Sequence, residues 1–481
     1  MDVFNELAQV EWDLDIFPNQ IEIICSEQMI DNYVSTGLPV CIPHWRYGKY
    51  FENIYNDYIH GHEHLAYELV INSNPTISYF LEENNLVTQA LVAAHACFGH
   101  NSFFKNHYLF RQWTTPDAIV DYCLFARDYV MQCEGKYGID RVEKILDAAH
   151  ALEYNGIDKY KRPPKLSLRE EKEQQERRIQ ERQKDASWLW NILPAEKKKG
   201  ESEKRFPAEP EENLLYFLEK NSSVLDEWER ELLRIVRKLA QYFYPYRMTK
   251  VGNEGWASYI HHTFVYRLWE LGYVTDGFMQ AFFLLHTGVV GQLDYNYYTT
   301  GAYELNPYYL GYNIFKEIER ICKEPTEEDK RWFPYLIGKD WKEEVKNAAF
   351  NFKDEGLILQ YLSPNLMRKT RLFAILDDSS KPYLEVTQIS NDDGYKELRS
   401  NLSKNYDYSR RFPDINVVEA RIKGDRQLTL RHNTVDDIPL NEKEKNQVLK
   451  HMKTLWGYEV RLESNANPQR PGSESDYVVW I

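Results

Sequence analysis

The stretch that most limits what this chain can become runs from Tyr67 to Phe110, YELVINSNPTISYFLEENNLVTQALVAAHACFGHNSFFKNHYLF. It reads as an apolar, helix-like scaffold, yet Glu68, Asn72, Glu83, His95, His100 and Asn101 interrupt its Leu, Val, Phe and Ala. Side chains of this kind are seldom fully buried unless they are paired or bind something. NEGWASYIHH (residues 253–262) and LLHTGVV (284–290) repeat the habit. The expectation is that these segments meet in space around one polar site.

The spacing within them sets conditions. From Glu83 to His100 the pattern reads as helix, and HACFGH places His95 and His100 five residues apart. On an ideal α-helix that is about 140° of rotation, so the two converge only where the helix ends or bulges near Gly99. Residue 96 is alanine, so the glutamate of an HExxH zinc motif is absent at that place. Further on, Gly252 and Asn253 are placed just ahead of a helix on which Glu254, Ser258 and His261 share one face. His150 closes the helix DRVEKILDAAHALEYNGID beside Ala148, Ala149 and Ala151, which fits either a helix-end cap or close approach of another segment. His60, His62 and His64 alternate in HGHEHLAYE, a spacing that serves zinc on a strand or a flexible histidine-rich tip.

The 481 residues allow two or three domains. Residues 1–164 form an N-terminal helical block with the His/Glu-rich polar core, and 165–211, with LREEKEQQERRIQERQKD and KKKGESEK, form a charged linker or docking arm. Residues 212–364 form a second helical block that completes the site. In 365–481 the period shortens, with strand-like runs such as YLEVTQIS, INVVEARI and RQLTLRHN and one helix, NEKEKNQVLKHMKTLWG. The fold class is therefore mainly α with a small α+β C-terminal domain, its helical core assembled from two helical blocks. A net charge of −15 argues against nucleic-acid binding and against an anionic membrane surface. No stretch approaches the roughly 20 apolar residues of a membrane span, no leader is evident, and the six cysteines are scattered without a CxxC pair. These features suit a cytoplasmic protein with reduced thiols and no membrane insertion.

HAxxGHNSFFK, ELVINSNP, NEGWA with a following histidine, and NPYYLG occur here in an order that resembles the SpoVR family, the stage V sporulation protein R group. The likeness runs from HWRYGK through KYKRP to the C-terminal YLEV, GYKELR and TLRHN runs. It implies a part in assembling the spore cortex, the peptidoglycan layer of the endospore, from the mother-cell cytoplasm. It also implies association with a PrkA-type serine protein kinase and a YhbH/YeaH-like protein in a stress or dormancy module.

Two readings of the polar site follow. In the first, His95, His100 and Glu254, with His150, hold a divalent metal, zinc being the first choice, and Glu68, Glu83 and His261 serve as further ligands or general base in a metal-dependent hydrolase. NEGWA is similar to the EGWA-type helix that supplies the third zinc ligand in some metallopeptidases. In the second, the buried histidines and carboxylates form a hydrogen-bonded network inside a non-catalytic regulatory scaffold that acts with the kinase.

Overall fold

Thr76, Ser78 and Phe80 alternate with Ile77, Tyr79 and Leu81 between buried and half-buried positions. That period of two makes a strand of a segment expected to be helix-like, because β-branched and aromatic side chains pack well on a half-buried pleated surface. The computed structural model describes residues 1–29, 44–45, 68–161, 173, 206–292, 305–370, 375–376, 385–386, 391–422, 424–435, 438–464 and 478–480. The fold is mainly α, with an α+β portion at the C-terminal end. It comprises two compact units that interleave along the chain: 1–132 with 242–411, and 133–241 with 412–481. The boundaries drawn at 164, 211 and 364 follow chain order; the units do not.

In the first unit, β1 (Asn19–Ile24), β2 (Glu68–Ile71) and β3 (Thr76–Leu81) form a three-stranded sheet in the order β1-β3-β2. β1 runs parallel and β2 antiparallel to β3. Glu68 lies opposite Phe80, so it shares the buried face of the sheet. α1 (Leu86–Ala94) begins where the Asn85 side chain accepts hydrogen bonds from the Val87 and Thr88 backbone N–H groups at 2.9 and 3.0 Å. It passes directly into a π-helical stretch, His95–His100.

The central helix of this unit is α2 (Lys250–Glu270), against which α1, the π-helical stretch, α3 (Asp276–Val289) and α4 (Pro307–Lys323) all pack. Gly252 and Asn253 lie inside α2 rather than ahead of it. The helix starts early because the buried carboxylate of Asp354 caps it, accepting from the Val251 and Gly252 N–H groups at 2.9 and 2.8 Å. Two close approaches fix its position. A Cβ on Gly99 would sit 2.5 Å from the Ala257 Cα, and one on Gly255 would sit 2.3 Å from the Gly311 Cα of α4. Aromatic packing fills the remainder, with Trp12 edge-on to Trp256, Tyr259 and Trp341, and the Trp256 indole N–H donating to Ser102 at 2.9 Å.

In the second unit, β4 (Asp414–Ala420), β5 (Leu428–Asn433), β6 (Val460–Ser464) and β7 (Val478–Trp480) form a sheet in sequential order. β5 and β6 are parallel and are joined through α5 (Glu442–Trp456), while the outer pairs are antiparallel. α5 packs on the helix Ile139–Ala151. Among the described residues no helix is long and apolar enough to cross a membrane, and the described cysteines are all unbridged.

Candidate functional site

The extra residue of a π-helical turn puts positions five apart over one another, which an α-helix does not. His95 and His100 occupy the two ends of that turn, and their rings stand edge-to-face with centroids 4.6 Å apart. Among the described residues, Glu68, His95 and His100 each offer a ligand atom within 4.8 Å of the others. Glu254 of α2 faces the same point: its Oε2 lies 3.7 Å from His95 Nε2 and 3.4 Å from His100 Nε2, and Glu68 Oε1 lies 3.7 Å from His95 Nε2. Carboxylate–imidazole separations of this size are long for hydrogen bonds and suit donors that converge on a shared ion. His95 Nε2 and Glu254 Oε2 are both buried with no hydrogen-bond partner, so two strong polar atoms face each other unsatisfied.

The outer nitrogens are committed. His100 Nδ1 donates to the Asn253 side-chain oxygen at 2.9 Å, which leaves Nε2 with its lone pair toward Glu254. His95 Nδ1 is 2.8 Å from His261 Nδ1, and His261 Nε2 is 2.7 Å from His286 Nδ1. With His95 Nε2 free to accept an ion, its Nδ1–H donates to His261, whose Nε2–H donates to His286. The protons then sit on Nδ1 of His95 and on Nε2 of His261 and His286. Because both nitrogens of His261 are used and the residue is wholly buried, its place is to orient His95, and no nitrogen remains to act as general base on a substrate.

Burial governs the charges. It lowers His95 to about 4, against the pull of Glu254 and with the help of His100, and it lowers His286 to about 3 with the help of His262 and His95. His261 falls well below the ordinary value through burial and the surrounding imidazoles. These three rings are neutral near pH 7, the form in which imidazole binds metals. Glu68 is pushed up to about 8, by burial first and then by the Glu254 carboxylate. Burial also pushes Glu254 upward, but His100, His95 and the Tyr308 hydroxyl together hold it below the usual carboxylate value. Without an ion the two carboxylates are thus driven apart, Glu254 toward its ionised form and Glu68 toward its protonated form; a bound cation would reverse the push on Glu68.

Family models match this chain along almost its whole length: SpoVR like protein over residues 2–411 and SpoVR-like C-terminal domain over residues 413–467. The chain belongs to the SpoVR family. It is 51% identical over 452 residues to "Uncharacterized protein YcgB" of Escherichia coli (strain K12), an alignment covering 94% of this chain and 88% of that relative. No solved structure matches it.

This SpoVR-family site gathers Glu68, His95, His100, Glu254 and His261, but not every residue expected there. Glu83 is exposed in the turn after β3 and accepts from the Ser26 hydroxyl at 2.8 Å, because the strand ends before it and turns it to solvent. His150 belongs to the second unit, where its Nδ1 lies 3.1 Å from Glu153 one helical turn on; its alanine neighbours Ala148 and Ala149 pack within that unit's core. His60, His62 and His64 lie outside the described residues. Sequence reasoning placed Asn253 outside the helix and gave no orienting role to His286. The signal for the latter was present, a lone histidine at the end of an otherwise apolar helix.

The histidine relay makes a direct prediction. His261→Phe, which keeps a ring and removes both nitrogens, is expected to lower divalent-ion affinity by about 10- to 100-fold, as loss of an orienting partner does. Isothermal titration with zinc checks this, and unchanged affinity would reduce the chain to packing.

Proposed function

We propose that this SpoVR-family protein is a cytoplasmic metal-dependent hydrolase acting on a peptide or peptidoglycan precursor in spore cortex formation. The observation that carries the chemistry is the pair of buried, unpartnered atoms His95 Nε2 and Glu254 Oε2, set among His100 and Glu68 with every outer nitrogen already engaged. The donor set fits a divalent ion, zinc foremost, since two neutral imidazoles and one or two carboxylates form the ordinary ligand set of a catalytic zinc site. His95, His100 and Glu254 would hold it, and a bound ion supplies Lewis acidity toward a carbonyl and toward water. Glu68 is the remaining carboxylate within reach and stands either as fourth ligand or as the base that Ala96 does not provide. Asn253, His261 and His286 orient the imidazoles, and Tyr308 braces Glu254. The cortex assignment draws on the family resemblance.

Elemental mass spectrometry of tag-free protein tests the reading. About one equivalent of zinc, iron or manganese per chain is expected in the parent, lost in His95→Ala with the circular dichroism spectrum retained. Absence of metal in the parent even after reconstitution sinks the hydrolase reading. It would favour a non-catalytic effector acting with a PrkA-type serine kinase and a YhbH/YeaH-like protein, which pull-downs of the full chain would then examine.

A further inference from the structure

Hydroxyls in and beside the helices of this protein commonly find partners: Thr88 reaches the Asn85 side chain, Ser403 reaches the Glu355 carbonyl, and others turn back on their own backbone. Ser102 donates to the Phe98 carbonyl, Thr249 to Pro245, Thr263 to Tyr259 and Thr370 to Leu366, each four residues back. Ser258 departs from this habit. It is wholly buried in the middle of α2, and its Oγ has no hydrogen-bond partner. It stands one turn after Glu254 and just under one turn before His261, within about 60° of both around the helix axis. A buried hydroxyl that forgoes the carbonyl beneath it, on the same helix face as a carboxylate oxygen that also lacks a protein partner, keeps its donor and its lone pairs for a group bound at that face.

We propose that Ser258 is a positioning residue whose hydroxyl hydrogen-bonds the exogenous oxygen ligand of the ion held by His95, His100 and Glu254, either a water or one oxygen of a small carboxylate. The inference rests on the metal-site reading and adds to it the group that orients what the ion binds. Serine suits the task because its hydroxyl both donates and accepts, so it serves a neutral water and an anionic oxygen alike.

The test uses the full chain loaded with cobalt(II), whose visible spectrum reports its ligands, and acetate as the probe ligand. Parent and Ser258→Ala are each titrated with acetate after cobalt content and circular dichroism have been measured. Equal cobalt stoichiometry with acetate binding weakened about tenfold in Ser258→Ala is the expected result, the size of one lost hydrogen bond to a charged group. Equal stoichiometry with equal acetate affinity overturns the role of Ser258 and leaves the metal site standing. Failure of the parent to take up cobalt overturns the metal reading and this inference with it. Ser258→Gly, which also removes the hydroxyl and adds no ligand atom, replaces the alanine variant should that variant not fold, and the same two outcomes then apply to it.

Discussion

Glu254→Gln should change the stability of the metal-free protein by no more than about 1 kcal/mol, while lowering divalent-ion affinity more than about 100-fold. The two halves of this expectation come from one atom. Glu254 Oε2 is buried without a hydrogen-bond partner, beside imidazole nitrogens 3.4 and 3.7 Å away. Desolvation of that carboxylate costs the folded state, and His100, His95 and the Tyr308 hydroxyl offset the cost by favouring its charge, so an amide of the same shape forgoes both the cost and the gain. An ion bound there turns the same atom into a ligand, and loss of a ligand removes more affinity than loss of an orienting neighbour does. Urea unfolding of the metal-free forms and zinc titration of both give the two numbers. A drop in stability above about 2 kcal/mol with little change in ion affinity would instead identify Glu254 as part of a structural hydrogen-bonded network.

What could be read from the sequence was which polar residues stand out from their apolar surroundings, and what could not was the geometry that gathers them. His95, His100 and Glu254 stand out because each is a strongly polar residue inside an apolar run, an anomaly visible without knowing the fold. Their convergence depends on one π-helical turn. No local propensity encodes that turn; its Gly99 lies so close to Ala257 that any side chain would collide, a contact between residues far apart in the chain. Glu68 was named for the right reason, but its strand was hidden inside a segment whose apolar density suggested helix. The alternation in TISYFL, with Ser78 on the buried face, was the available sign.

The errors have the same root. A glutamate in a turn and a histidine among alanines look alike in sequence whether they face a site or a local partner, and Glu83 and His150 found local partners in Ser26 and Glu153. The C-terminal strands were legible because short runs rich in Val, Ile, Leu and Thr sit between turn residues there, and the helix from NEKEKNQ follows its Asn441 cap. GYKELR carried only a family likeness, yet it forms part of a helix, Asp392–Lys404, capped by Asn391. The interleaving of the two units arises from pairings such as Lys159 with Asp414, 255 residues apart, which periodicity does not report.

Arg320→Met is expected to destabilise the protein by about 3 to 5 kcal/mol at neutral pH, the cost of breaking a buried ion pair by removing one partner. The Arg320 guanidinium bridges two carboxylates, meeting Glu317 at 2.8 and 3.0 Å and Asp329 at 2.9 Å through each of its terminal nitrogens. Ser363 and Asn365 also donate to Glu317, and Thr326 donates to Asp329, so the cation ties α4 to the helix Glu327–Trp332 and the Glu317 carboxylate ties it to the helix Pro364–Lys369. Both carboxylates are almost wholly buried, and removal of Arg320 leaves them charged and uncompensated. Although burial alone would raise Glu317 and Asp329, the guanidinium and the surrounding donors hold both below their ordinary values of 4.5 and 3.8. Depressed carboxylates contribute stability that is fully present above those ordinary values and is lost as pH falls through the lower folded ones. In the variant the same groups gain by taking up protons. The gap between parent and variant should therefore be widest near pH 7 and narrow below about pH 4, which urea unfolding at both pH values measures. A gap that does not change with pH would show that the arginine acts through its aliphatic packing rather than its charge.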